Sequence, residues 1–248
     1  LHIIKTIDLV KYEICEGSLM QCIPSNFPDV FLTNLDSNPT IVSPNATYAI
    51  RFAMTKEESY DLEEYKQFLD GAIGMFRKSR AYTHYKSYIY GLGMSVCQFH
   101  PYIQSTDEHE VATLEMHHCM LNIYDIAILI SGHFLNNGYS MTEFDLAELL
   151  KYEHHHNRIP ITMLCKSCHQ QYHHQYLYVP PDMIFGKWWE LIERYSGGLD
   201  RDIVFKILMY LNKATGEKLD YQLERNKKLL VLRESLLEWT NTGTTLEH

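Results

Sequence analysis

No apolar run in this chain approaches the ~18 residues that a membrane-crossing helix requires, so no bilayer span is expected. The opening residues lack the basic, apolar and small-residue segments of a secretory signal. Basic charge is also scarce: 22 Lys and Arg stand against 31 Asp and Glu, a formal net charge of -9. Nucleic-acid binders usually carry a basic footprint; one in this chain has to be local, hidden in the sum. Six cysteines in 248 residues do not make a disulfide framework. They stand at positions 15, 22, 97, 119, 165 and 168, and those beside histidines point to metal chemistry in a reducing, cytoplasmic compartment. The Asn45-Ala46-Thr47 sequon, without a secretory signal, reads as incidental. Leu246-Glu247-His248 reads as the stub of a cloning tag.

Histidine is what the chain concentrates. Eleven of its fourteen histidines fall between His100 and His174. Five of these lie in three short stretches: Cys97-Gln-Phe-His100, Leu114-Glu-Met-His117-His118, and Cys165-Lys-Ser-Cys168-His169-Gln-Gln-Tyr-His173. Two ligands separated by two residues suit one tetrahedral ion, and both Cys97/His100 and Cys165/Cys168 have that gap. Together they make a Cys3His set for structural zinc, with a 64-residue insertion between the halves. Two unrelated pairs of buried or redox-active residues are the alternative.

Residues 1 to 54 alternate polar and apolar positions among prolines, a pattern of short strands and turns. Thr55-Lys-Glu-Glu58 is a capping box that opens a helix to about residue 69. Residues 71 to 93 carry Arg77, Lys78, Arg80 and Lys86 with no acid, interleaved with Tyr82, Tyr85, Tyr88 and Tyr90. Phosphate contact with base stacking fits that stretch, and so does a solvated helix face over core tyrosines. Residues 110 to 118 alternate as a strand, which sends His117 and His118 to opposite faces. Residues 122 to 136 are helical, and Ser140-Met-Thr-Glu143 caps a second helix. That helix ends in Glu153-His154-His155-His156, read as a solvent-exposed end. Ile161 to Leu164 is a short apolar run, and a helix from Cys168 onward places His169 and His173 on one face. Beyond Pro180-Pro181 the chain reads as helices over 183–195, 200–213 and 220–240, the last with a leucine stripe for packing or a dimer seam.

In order and content, the three histidine-bearing stretches resemble an HNH endonuclease. The resemblance covers residues 94 to 178 and implies a ββα-metal core braced by zinc knuckles. It implies His118 as general base, His117 and His173 as ligands of a catalytic divalent ion (Mg2+, Mn2+ or Zn2+), and His169 as a further ligand. Neutral imidazole suits a base working near neutral pH. Three positions depart from the family pattern. His100 replaces a knuckle cysteine, Pro160 occupies the place of the middle asparagine with Asn157 the nearest substitute, and a two-helix insertion over 120–156 separates the halves.

The sequence thus predicts an α+β protein: a mixed region at 1–93, an HNH-like zinc-binding domain at 94–178 and a helical region at 179–245. The function expected from the resemblance is metal-dependent cleavage of DNA, with RNA as the other substrate, of a phage, mobile-element or restriction type. The competing expectation is a catalytically inactive zinc-braced module that binds nucleic acid or inhibits a protein partner, as monomer or homodimer. A hydrolase of small phosphorylated molecules would suit the acidity, but no motif supports it.

Overall fold

The structure, a computed structural model, describes residues 53–104, 114–216 and 224–241. The strands and turns expected before residue 53, the sequon, residues 110 to 113 of the expected strand and the terminal tag lie outside the described residues.

The Thr55 box closes as expected: Thr55 N–H donates to Glu58 Oε2 (2.9 Å) and Glu58 N–H to Thr55 Oγ1 (3.2 Å). It opens only a 3-10 turn, Glu58–Tyr60, because Asp61 then turns extended and caps afresh, accepting from the Glu63 and Glu64 N–H groups. Helix α1 (Leu62–Lys78) therefore starts later and runs further than the expected 55–69. Ser79 breaks the helix and caps α2 (Arg80–Gly91). Arg77 and Lys78 thus sit on the last turn of α1, where cations suit the helix dipole, and Arg80 and Lys86 sit on α2.

Strand β1 (Leu114–His118) is followed by α3 (Ile123–Asn136) and α4 (Glu143–His155), then β2 (Ile161–Cys165) and α5 (Lys166–His173). Reciprocal boxes start both inserted helices, Asn122 with Asp125 and Thr142 with Asp145. The second box lies two residues beyond the expected Ser140. Met141 is bridged to Met54 through two backbone hydrogen bonds (2.7 and 2.9 Å), which hold the chain extended until Thr142. The two strands pair antiparallel, with Leu114 opposite Cys165 and His118 opposite Ile161. Among the described residues these are the named strands, so the molecule is mostly helical around a small sheet, the α+β class read from the sequence.

Phe185 bridges back to Ile161. The helix expected over 183–195 is accordingly shortened to α6 (Trp188–Arg194). After the 3-10 turn Ser196–Gly198 come α7 (Arg201–Gly216) and α8 (Glu224–Asn241). Gly198 is needed for close packing, since a Cβ there would meet the Leu129 carbonyl oxygen of α3 at 1.9 Å. Leu229 and Leu236 of the leucine stripe are buried within this chain. A continuous buried cluster joins Phe68 and Phe76 of α1, Ile126 and Ile130 of α3, Met163 of β2, Trp188 of α6 and Leu236 of α8. Buried Glu153, at the end of α4, fastens this core to the C-terminal helices. Arg158 (3.0 Å), Arg194 (3.3 Å) and the Tyr195 hydroxyl (2.8 Å) surround its carboxylate. No helix among the described residues is long and apolar enough to cross a membrane.

Candidate metal centre

Cys97, His100, Cys165 and Cys168 come together, with their ligand atoms within 4.8 Å of one another. A tight loop holds the first pair: Cys97 N–H donates to the Ile103 carbonyl (3.0 Å), and Gln98 N–H to Met163 of β2 (2.9 Å). The second pair sits where β2 becomes α5. Cys165 is the N-cap and Cys168 lies in the first turn, so the helix begins at Lys166, before the expected Cys168. N-cap and third helical position share one side of a helix end, and both thiols face His100. His100 Nδ1 lies 3.6 Å from Cys165 Sγ and 3.3 Å from Cys168 Sγ. Ligands at ~2.3 Å (S) and ~2.0 Å (N) from a tetrahedral ion lie ~3.5 Å apart, so this spacing fits zinc. Burial, then neighbouring Cys165 and Cys97, push Cys168 up to about 12. Burial also opposes a Cys97 thiolate, but hydrogen bonds from the Cys165, Phe99 and His100 backbone outweigh it and bring its pKa below the usual thiol value. For all three thiols to ionise together in one buried space, an ion of opposite charge must lie among them. The cluster could hold a metal such as zinc.

A second cluster lies on the His117 face of the sheet. Each of His117, His169 and His173 offers a ligand atom within 4.8 Å of the others'. The four-residue spacing on α5 sets His169 and His173 side by side, with their Nε2 atoms 3.1 Å apart. Two nitrogens on one tetrahedral ion are separated by ~3.3 Å. Glu115 shares the His117 side of β1, and its Oε2 lies 2.6 Å from His169 Nδ1, which leaves Nε2 to face the cluster. A carboxylate behind a ligating imidazole fixes its tautomer and raises its basicity. Glu115 was not read from the sequence; the available signal was its position two residues before His117, on the same strand face. His117 Nε2 is buried without a hydrogen-bond partner. Burial first, then His169 and His173, lower the His117 pKa to about 4, so its imidazole is neutral and ligand-ready at pH 7. Three imidazoles leave one position of a tetrahedral ion open.

His118 points the other way. Its Nε2 lies 3.1 Å from Nε2 of His154, whose Nδ1 lies 2.6 Å from the Leu150 carbonyl oxygen. A carbonyl only accepts, so His154 donates from Nδ1 and its Nε2 accepts from His118 Nε2–H. The lone pair of His118 is therefore on Nδ1. Phe76 (4.5 Å) and Tyr85 (5.2 Å) pack on the His154 ring. His154 and Glu153 are fully buried, which corrects the expectation of a solvent-exposed helix end; only His155 and His156 are exposed. Asn157 takes φ 54 just past α4, and its amide donates to Tyr88 Oη (3.2 Å). The Pro160 carbonyl accepts from Cys119 N–H (3.0 Å). Arg77, Lys78 and Arg80 are exposed, Lys86 lies 5.4 Å from the Tyr82 ring, and Tyr85 is core.

The profile of the bacteriophage G278-like virion protein family matches residues 27–242. The chain belongs to this family. No curated protein and no solved structure matches it. The match spans both candidate clusters and all the described helices.

Proposed function

We propose that this virion-family protein is a metal-dependent endonuclease of HNH type that hydrolyses DNA phosphodiester bonds. The observation that carries the reading is the three-histidine cluster, in which a buried, unpartnered His117 Nε2 accompanies two helix-borne imidazoles, one of them oriented by Glu115. It stands on an antiparallel strand pair followed by a helix, with the Cys3His set at the strand–helix junction as the structural zinc site. His117, His169 and His173 would hold the catalytic divalent ion, which when bound neutralises charge on the scissile phosphate and leaving oxygen. Glu115 keeps His169 in the ligating tautomer. His118 is the general base, and His154 holds its tautomer so that Nδ1 carries the lone pair. Arg77, Lys78, Arg80 and Lys86 remain candidates for phosphate contact, with RNA as the other substrate.

The second reading is a catalytically inactive, zinc-braced component of the virion that binds nucleic acid or a protein partner. Two observations favour it: the Nε2 of His118 is engaged by a buried neighbour, and the Asn157 amide is turned to Tyr88. Elemental analysis combined with plasmid cleavage in added magnesium or manganese separates the two. The endonuclease reading expects retained zinc and cut plasmid. Retained zinc with intact plasmid under every metal supports the inactive component.

A further inference from the structure

We infer that a single-stranded DNA segment docks in a cleft beside the three-histidine cluster, formed where the end of α5 meets α7. This assigns a substrate class to the proposed endonuclease site and rests on that reading for its catalytic meaning. The cleft has a volume of about 330 Å³, and its lining includes Tyr172, His173, Gln175, Tyr178, Tyr210 and Lys213. His173 belongs to both cleft and cluster, and the Tyr172 ring lies 4.5 Å from His117. A strand seated here therefore passes the position that the three imidazoles surround.

The chemistry of the lining selects the ligand. Tyr178 and Tyr210 pack with ring centroids 5.6 Å apart, and the Lys213 ammonium lies 4.5 Å from the Tyr178 ring. Lys213 itself is exposed. In a chain of net charge -9, the cleft is lined by a lysine and no carboxylate. Aromatic faces stack any base and a lysine neutralises a phosphate, the combination by which single strands are held without sequence preference. The volume is at the lower end of small-ligand pockets, ~300–1,000 Å³, and suits one splayed nucleotide rather than a paired duplex.

The test is fluorescence anisotropy of a labelled phosphorothioate single-stranded DNA, titrated with the purified full chain carrying its own metal and no added divalent ion. Lys213→Ala is expected to weaken binding and to lower the log–log salt slope by about 0.7, one phosphate contact on a single strand. Tyr178→Leu is expected to weaken binding about fivefold or more, the loss of one stacked base. Lys213→Arg should restore the slope. Should Tyr178→Leu unfold, exposed Lys213 still decides the question. A parent that binds no single strand overturns the inference, and so do variants with the parent's affinity and salt slope. Cleavage of unmodified single-stranded circular DNA and of plasmid is scored separately. Cleavage with no cleft dependence in binding removes the cleft alone, whereas cleft-dependent binding without cleavage keeps the cleft and removes the endonuclease reading.

Discussion

His117 and His118 are neighbours in the chain, and the pleat of β1 sends them into different surroundings. Burial is the first cause of a lowered pKa for both, so both are neutral at pH 7. What separates them is the partner. On one face, His117 keeps a buried lone nitrogen beside two imidazoles, next to an exposed His173. On the other, His118 is tied through His154 to a backbone carbonyl, and Phe76 and Tyr85 from α1 and α2 pack on the His154 ring. A perturbed histidine is thus not in itself a functional signal. An unsatisfied one beside other imidazoles has a nitrogen available for coordination, while a satisfied one packed in aromatic rings belongs equally to the core.

The contrast can be broken at its foundation, at the face that is filled, or at the face that is open. Cys168→Ser removes a ligand from the Cys3His set that joins loop, β2 and α5, and should have the largest effect. Structural zinc in small domains contributes ~10–16 kcal/mol of apparent binding energy, so even partial loss should lower the thermal midpoint sharply and release the metal. An unchanged midpoint with full zinc by elemental analysis would dissolve the four-ligand set.

His154→Ala attacks the filled face. It leaves a cavity beside Phe76 and a His118 donor without its acceptor, so urea unfolding should show a loss of about 2–4 kcal/mol. Its pH signature has a definite sign. Burial, partly offset by the bond to Leu150, lowers the folded-state pKa of His154 to about 3, against ~6.5 when unfolded. The unfolded state then binds more protons, so the contribution is fully present above ~6.5 and is lost as pH falls toward about 3. In denaturation curves across this range, His154→Ala should flatten the acid loss; a slope equal to the parent's would contradict the burial.

Changes on the open face should spare the fold and weaken the metal. Glu115→Gln keeps the shape but loses the carboxylate behind His169, and should reduce affinity at the three-histidine cluster about 10–100-fold by metal titration. His169→Ala, at a partly exposed position, should alter stability by ~0.5 kcal/mol or less while removing one ligand. If His169→Ala destabilised the chain as much as His154→Ala, the two faces would not differ as described.

The sequence made the covalent spacing legible and left the third dimension partly hidden. Cys97/His100 and Cys165/Cys168 could be read because a two-residue gap is a local property of metal ligands. The pairing of His169 with His173 followed from helical periodicity, and the opposite facing of His117 and His118 from the strand. Glu115 escaped because its role depends on α5 crossing over β1. His154 escaped because a run of three histidines after a glutamate looks solvated, while α1 and α2 arrive from far along the chain to cover its first half. Helix starts slipped for the same kind of reason. Met141 pairs with distant Met54, which displaces the cap from Ser140 to Thr142, and Asp61 competes locally with a capping box that nonetheless forms.

The central claim is that the His117 face holds a catalytic ion while His118 supplies chemistry without binding it. Cleavage of single-stranded circular DNA and of plasmid by the parent, His173→Ala and His118→Ala across a manganese titration tests it most directly. The parent should cut. His173→Ala should be inactive at low manganese and partly restored at high, and His118→Ala should remain at least ~10²-fold slower at every concentration. Cleavage by His118→Ala equal to the parent's, or a manganese dependence unmoved by His173→Ala, would contradict the account.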